Sequence, residues 1–281
     1  MKEQRYQLIA LDIDGTLLNT NKEITPDTEA AVHRAFAAGK EVVLSTGRSF
    51  AELAEILDTF PEMRYGICES GALIFDRQSD TPIAVHPIGV ELARQAVDIA
   101  RPRDILIHIF LNGRPVISQR RMEQLADFQI PYFQSMFERY SLQVPDGPDY
   151  CLNQPHPSME KINLYHHTVE ERSETERLLA HLPLSMVDSE KTSLELSAAG
   201  VDKGKGLYEL CRHLGIPIEA TIAVGDSFND AAILNAAGLA IGMGNTAEPV
   251  RKLCDVIVKD CDHDGVAEAI ERYLLAGETE D

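Results

Sequence analysis

Three short runs in this chain, "LIALDI" from Leu8, "EVVLST" from Glu41 and "TIAVGD" from Thr221, are apolar at successive positions rather than at alternate ones. A strand patterned this way has no face to offer water, so it belongs in a parallel sheet covered on both sides. Parallel neighbours cannot be joined by a tight turn; each pair needs a crossover, usually a helix. The chain supplies one between the first two runs, "TPDTEAAVHRAFAAGK". There Thr25 suits the N-cap, Pro26 the first helical position and Gly39 the stop, with Ala31, Val32, Ala35 and Phe36 as the apolar stripe. Towards the other end "FNDAAILNAAG" reads as a helix closed by Gly238, "LAIGMGN" and "CDVIVKD" as strands, and "DGVAEAIERYLLAG" as a last helix over 264–277. The expected fold class is α/β, a Rossmann-like doubly wound parallel sheet.

The middle of the chain follows a different pattern. "ILIHIFLNGRPVIS" is two strands joined through Asn112-Gly113, a hairpin signature, with helical "GVELARQAVDIARP" before it. "EKINLYHHT" and "TSLELSA" read as strands around the helical "VEERSETERLLAHL", and "QVPDGPDYCLNQPHPSME" reads as loop. These features place an inserted α+β cap over residues 85–189, within a core made of 1–84 and 190–281.

Charge narrows the function. Against 26 Lys and Arg stand 45 Asp and Glu, a formal net charge of −19. Nucleic-acid binding depends on cations that neutralise phosphates, so a nucleic-acid partner is not expected. An anionic substrate would need a locally positive pocket. No run reaches about 18 apolar residues, so no membrane partner is expected, and since nothing in the first residues resembles a secretory signal the expected address is the cytoplasm. The five scattered cysteines contain no CxxC pair and are expected to be reduced thiols. Adjacent His166 and His167 are expected to face solvent.

Doubly wound sheets bind ligands beyond the carboxyl ends of their strands, and the polar residues gather there. Asp12 and Asp14 follow the first run, Thr46 and Gly47 the second, Asp226 and Asp230 the third. Gly15 marks a turn that can return Asp14 to the pocket of Asp12; an Asx role before glycine is the other reading. Asp12 and Asp226 suit a hard cation such as Mg²⁺, which needs only one or two carboxylates, whereas Asp226 and Asp230 could also serve as helix caps. Thr46 and Gly47 offer a hydroxyl and amides to an anion; the other reading is that Ser45, Thr46 or Ser49 only caps the following helix. Lys203 lies at the start of the helical segment "KGLYELCRHLG", with Leu207, Leu210, Cys211 and Leu214 as its stripe. A cation there opposes the helix dipole, so it calls for a negative partner.

Taken in order, "DIDGTLL", "STGR", "AAGVDKGKGL", "GDSFND", "GMGN" and "DGVAEAI" resemble the haloacid dehalogenase-like phosphohydrolases, within them the Cof-type group with a large α/β cap. The resemblance implies Asp12 as nucleophile and Asp14 as general acid/base. It implies phosphate contacts from Ile13, Thr46, Gly47, Lys203 and Asn229, and a Mg²⁺ site at Asp12, the Asp14 carbonyl and Asp226, supported by Asp230. The chain departs from the family pattern at Ser70, where Asn is usual before Gly71-Ala72, at Cys261, also an Asn position, and at Ile233, often Met. The implied activity is Mg²⁺-dependent hydrolysis of small phosphorylated metabolites, sugar phosphates foremost, by a monomer or homodimer. Phosphotransfer to another sugar hydroxyl, as in a mutase, and a catalytically idle phosphometabolite-binding regulator are the alternatives. Cap residues considered for specificity are His108, Arg114, Lys161, Asn163 and His166.

Overall fold

The computed structural model describes residues 6–128, 130 and 133–276. Its strands run β1 Leu8–Leu11, β2 Glu41–Ser45, β3 Tyr65–Cys68, β4 Leu73–Asp76 and β5 Thr81–Val85. Then follow β6 Leu106–Leu111, β7 Arg114–Ser118, β8 Leu142–Val144, β9 Met159–Tyr165, β10 Leu184–Glu190 and β11 Ser193–Ala198. β12 Thr221–Gly225, β13 Leu239–Gly242 and β14 Val256–Ile257 complete the set among the described residues. The chain divides into two compact units, one holding the residues through Gly47, Glu55–Ala84 and those from Asp202 onward, the other Arg48–Ala54 and Val85–Val201.

In the first unit the sheet order is β14-β13-β12-β1-β2-β3-β4-β5. Central β1 pairs in parallel with β12 and β2, so Leu11 lies between Val224 and Leu44. Leu8 and Ala10 pack with Leu207, Leu210, Cys211, Ile233 and Leu234 on one face. Ile9 and Leu11, equally buried, project from the opposite face, as alternation requires. Each such leucine or isoleucine contributes about 1.5–3 kcal/mol of burial, which explains why the run is apolar throughout. The helix Pro26–Ala37 has the expected N-cap, Thr25, whose side chain accepts from the Thr28 amide at 3.3 Å. The last helix starts at Gly265–Ala269 and widens into a π-helical turn at Ile270–Leu274; Gly277 lies outside the described residues.

The sheet is not parallel throughout: β3 and β4 form an antiparallel pair. Their turn holds three successive residues at positive φ, Glu69 at 53°, Ser70 at 58° and Gly71 at 93°. A β-carbon on Gly71 would lie 2.0 Å from the Asp202 carbonyl oxygen. Glycine is therefore required there, for conformation and for space, and it sets the chain directly before Lys203.

The second unit holds a sheet of order β10-β11-β9-β6-β7-β8. Asn112 and Gly113, at φ 52° and 72°, make the tight hairpin expected between β6 and β7. Ile107, Ile109, Ile162, Leu164, Leu194 and Leu196 form a core with Ala93, Ala96 and Val97 of the helix Val90–Ala100. Three expectations need correction. The cap cannot end at residue 189, because β11 pairs with both β9 and β10, and the division falls after Val201. The stretch expected as loop contains the helix Gly147–Leu152, capped by Asp146, whose carboxylate accepts from the Asp149 amide at 2.9 Å. Its Gly and Pro stand in the first turn, where they start a helix. His166 is fully buried, with Nδ1 3.0 Å from the Thr192 carbonyl. Among the described residues no helix is long and apolar enough to cross a membrane.

Candidate active site

The ends of β1 and β12 bring Asp12 and Asp226 together, because the two strands are in register as far as Leu11 and Val224. Beyond them the Asp12 amide donates to the Val224 carbonyl at 3.0 Å. Between the strand ends enters Lys203, the first residue of the helix Lys203–Leu214, which Asp202 caps by accepting from the Lys205 amide. Its Nζ donates to Asp12 Oδ1 at 2.7 Å and to Asp230 Oδ1 at 2.6 Å. Lys203 and Asp230 are buried and Asp12 almost so. The negative partners that a cation at a helix start demands are these two carboxylates.

Asp230 uses its other oxygen as well. Oδ2 accepts from the amides of Asp226 at 3.0 Å and Ser227 at 3.1 Å, closing the loop after β12 around the carboxylate. With both oxygens engaged by protein donors, Asp230 braces Lys203 and the Asp226 loop. Asp12, Asp226 and Asp230 nonetheless have carboxylate oxygens all within 4.8 Å of one another.

Electrostatically the cluster has a surplus of negative charge. Burial works against the Lys203 charge, but Asp12 and Asp230 outweigh it and hold the ammonium above its ordinary pKa. Burial and then Asp230 push the Asp12 carboxyl well up, with Lys203 pulling the other way. Asp226 rises to about 7, through burial first and Asp230 second. Three carboxylates share one ammonium, so a hard cation fits the donor set: it would meet oxygen ligands only and relieve their repulsion.

Asp14 lies close enough to Asp226 to add to the repulsion that raises the Asp226 pKa. Its Oδ1 pairs with Lys22 Nζ at 2.9 Å, both side chains being partly exposed. Lys22 itself sits at φ 63°, in a turn held by the Asn19 side chain, which accepts from the Asn21 and Glu23 amides. Ile13 is fully buried, and Thr46 closes β2 with its amide donating to the Ile67 carbonyl at 2.8 Å. The Ser70 amide donates to the Thr46 carbonyl at 2.9 Å, tying the turn between β3 and β4 to the end of β2. Asn229 lies in the turn Phe228–Asp230, and its Oδ1 has no hydrogen-bond partner among the described residues.

Sequence reasoning gave Asn245 no role. Its Nδ2 donates to the Gly15 carbonyl at 2.9 Å and to Asp226 Oδ2 at 3.1 Å, and its Oδ1 accepts from the Cys261 amide. One side chain thus ties three loops together, and the "GMGN" run was the available pointer. Because Cys261 contributes its amide, a thiol can stand where asparagine is usual. Gly15, at φ 84°, completes the turn: a β-carbon there would come within 2.6 Å of Asp226 Oδ2. Gly15→Ala is expected to cost about 1–2 kcal/mol for the left-handed conformation and to displace Asp226. Its activity should fall by more than the stability loss explains, as thermal unfolding measured beside phosphate release would reveal.

The fold and these strand-end acids define an α/β enzyme with an inserted cap. The profile of the haloacid dehalogenase-like hydrolases matches residues 9–270, and the chain belongs to that family, in its Cof-type group. It is similar to the phosphatase YwpJ of Bacillus subtilis, 29% identical over 95% of this chain and 100% of the relative. It is 24% identical to the pyridoxal phosphate phosphatase YbhA of Escherichia coli, over 96% of this chain and 99% of that one. A solved haloacid dehalogenase-like hydrolase from B. subtilis superimposes with a TM-score of 0.84 at 25% identity, covering 94% of this chain and 99% of the other.

Proposed function

We propose that this hydrolase is a Mg²⁺-dependent phosphatase of small phosphorylated metabolites, sugar phosphates foremost, working through an aspartyl-phosphate on Asp12. The observation that carries the reading is the buried Lys203 ammonium held between Asp12 and Asp230 at 2.7 and 2.6 Å. A buried cation fixed beside a carboxylate prepares a place for further negative charge, as phosphoryl transfer requires. The phosphatase names of the full-length relatives support it.

In the first step an Asp12 carboxylate oxygen bonds to phosphorus and the bond to the leaving alcohol oxygen breaks, with Asp14 donating a proton to that oxygen. In the second, Asp14 takes a proton from water, the water oxygen bonds to phosphorus and the Asp12 oxygen leaves, releasing phosphate. Lys203, the Ile13 and Gly47 amides, Thr46 and Asn229 hold the phosphoryl oxygens, and Lys203 offsets their charge. Asp12, Asp226 and the Asp14 carbonyl would hold Mg²⁺, with Asp230 as brace. When bound, the ion adds the positive charge that the transferring group and the three carboxylates together demand.

The test is phosphate release from sugar phosphates, nucleotides and pyridoxal phosphate, with Mg²⁺ and with EDTA. Release should require Mg²⁺, vanish with EDTA and return on adding excess metal. Release indifferent to EDTA would remove the metal from the reading. Transfer of the group to a second sugar, with no free phosphate, would make the protein a phosphotransferase instead. Silence across the panel, from folded protein, would favour a binding role.

A further inference from the structure

The loop that follows Asp14 holds a lysine where the backbone favours glycine. Lys22 has φ 63°, a left-handed conformation that is uncommon and costly for a residue with a β-carbon. Such a conformation persists only where the surroundings impose it, and here they do. The Lys22 amide donates to the Asn19 carbonyl, and the Asn19 amide to the Glu23 carbonyl, both at 2.9 Å. Asn19 Oδ1 accepts from the amides of Asn21 at 2.9 Å and Glu23 at 3.0 Å. Thr20 ties the turn to a distant loop: its amide and hydroxyl both donate to Asp262 Oδ1, at 2.9 and 2.8 Å. All of these residues belong to the first compact unit.

The Asp14 end is fixed as well. The Leu18 amide donates to the Ile13 carbonyl at 2.8 Å and the Leu17 amide to the Asp12 carbonyl at 3.2 Å, so Asp14 stands on a closed turn directly after β1. Across the loop Lys22 Nζ donates to Asp14 Oδ1 at 2.9 Å. The two side chains are 51% and 32% exposed, and an ion pair that open to water adds little to stability. A strained turn built for so small a gain calls for another reason. Asp14 and Asp226 repel each other, which drives the Asp14 carboxylate away from the acid cluster without giving it a direction. Lys22 supplies the direction. It lines a cavity of about 370 Å³ together with Gly15 and Asn245, the two residues that border Asp226. An ammonium has three donors and no acceptor, so the oxygen it holds cannot be the one that carries a proton.

We propose that Lys22 is a positioning residue for proton transfer: its bond to Oδ1 orients the Asp14 carboxyl and leaves Oδ2 to carry the proton to the leaving oxygen. The proposal rests on the phosphatase reading, in which Asp14 is the acid, and it assigns Lys22 no contact with the phosphoryl group. Proton donation is sensitive to small displacements of the donor, so a bond of little worth to the fold can matter to the rate. Lys22→Met removes the ammonium while keeping a β-carbon and a long chain at the same φ, so the turn itself should survive.

The experiment compares kcat/KM for phenyl phosphate and p-nitrophenyl phosphate, in Mg²⁺, for the full chain and its variants. The esters are alike in shape, but phenolate needs the proton to leave and nitrophenolate hardly does. Lys22→Met should shift the ratio of the two values against phenyl phosphate by about tenfold or more, a share of the about hundredfold or more that a general acid supplies. Its thermal unfolding should match the wild type, and Lys22→Arg should recover most of the ratio. In an Asp14→Asn background, Lys22→Met should shift the ratio no further, because its effect runs through Asp14. An unchanged ratio, an equal loss on both esters, or a shift that persists without Asp14 overturns the proposal. A folded wild-type protein that releases phosphate from neither ester nor any metabolite overturns the phosphatase reading and this role together; an active one whose ratio ignores Lys22 overturns this role alone.

Discussion

Asp12→Asn yields a folded protein whose turnover of every phosphate ester falls by at least about a thousandfold, the order lost when a covalent nucleophile is removed. The substitution is nearly isosteric, and the amide oxygen can still accept the Lys203 hydrogen bond that Asp12 Oδ1 accepts at 2.7 Å. It also removes one of the charges that repel Asp230 and Asp226. Stability should therefore hold or rise while activity disappears, a separation that a merely structural aspartate would not give. Acid quenching of the wild-type protein during turnover should trap phosphate on the chain, and the variant should trap none. Appreciable activity in the variant, or a wild-type protein that never carries phosphate, would sink the nucleophile assignment.

What the sequence made legible follows from range. Caps and tight turns are local chemistry, so the Thr25 cap and the Asn112-Gly113 hairpin could be read directly. The core strands were equally plain, because a strand covered on both faces has to be apolar at every position. Pairing is different. Nothing within "TSLELSA" states that it lies between β9 and β10, and so the cap boundary was placed too early. The Pro and Gly that open the helix Gly147–Leu152 use the same residue types as a loop, and only the Asp146 cap and the burial of Cys151 and Leu152 separate the two cases. His166 looked like a surface residue because its partner, the Thr192 carbonyl, lies 26 positions away.

The candidate site divides along the same line. Acids at strand ends can be seen in the sequence, since the period of the strand shows where it stops. Which of them touch Lys203 cannot, for the contacts span 191 and 27 positions. Nor could the use of both Asp230 oxygens, or the bridge that Asn245 makes to Gly15 and Asp226, be read from spacing. The motifs mark chemistry, and the sheet decides which pieces meet.

Lys203→Met should be the most destabilising single substitution in this site, at about 3–5 kcal/mol, because it strands buried carboxylates without their cation. Methionine fills much the same volume, so the loss would be electrostatic rather than a cavity. The pH dependence gives the sign. In the wild-type protein the Lys203 pKa is held above its ordinary value. Its contribution is then fully present below the ordinary lysine range and lost only as pH rises through the folded value. In the variant, Asp12 keeps the burial and the Asp230 repulsion that raise its pKa and loses the ammonium that lowers it. A carboxyl raised on folding binds its proton more tightly in the native state, so the variant should lose stability as pH rises above the ordinary carboxylate range. Urea unfolding in EDTA should therefore show a deficit that grows from about pH 5 to about pH 8. A deficit below about 1 kcal/mol, the range of an exposed ion pair, or one that does not change with pH, would mean that Lys203 is not the buried counter-charge of this cluster.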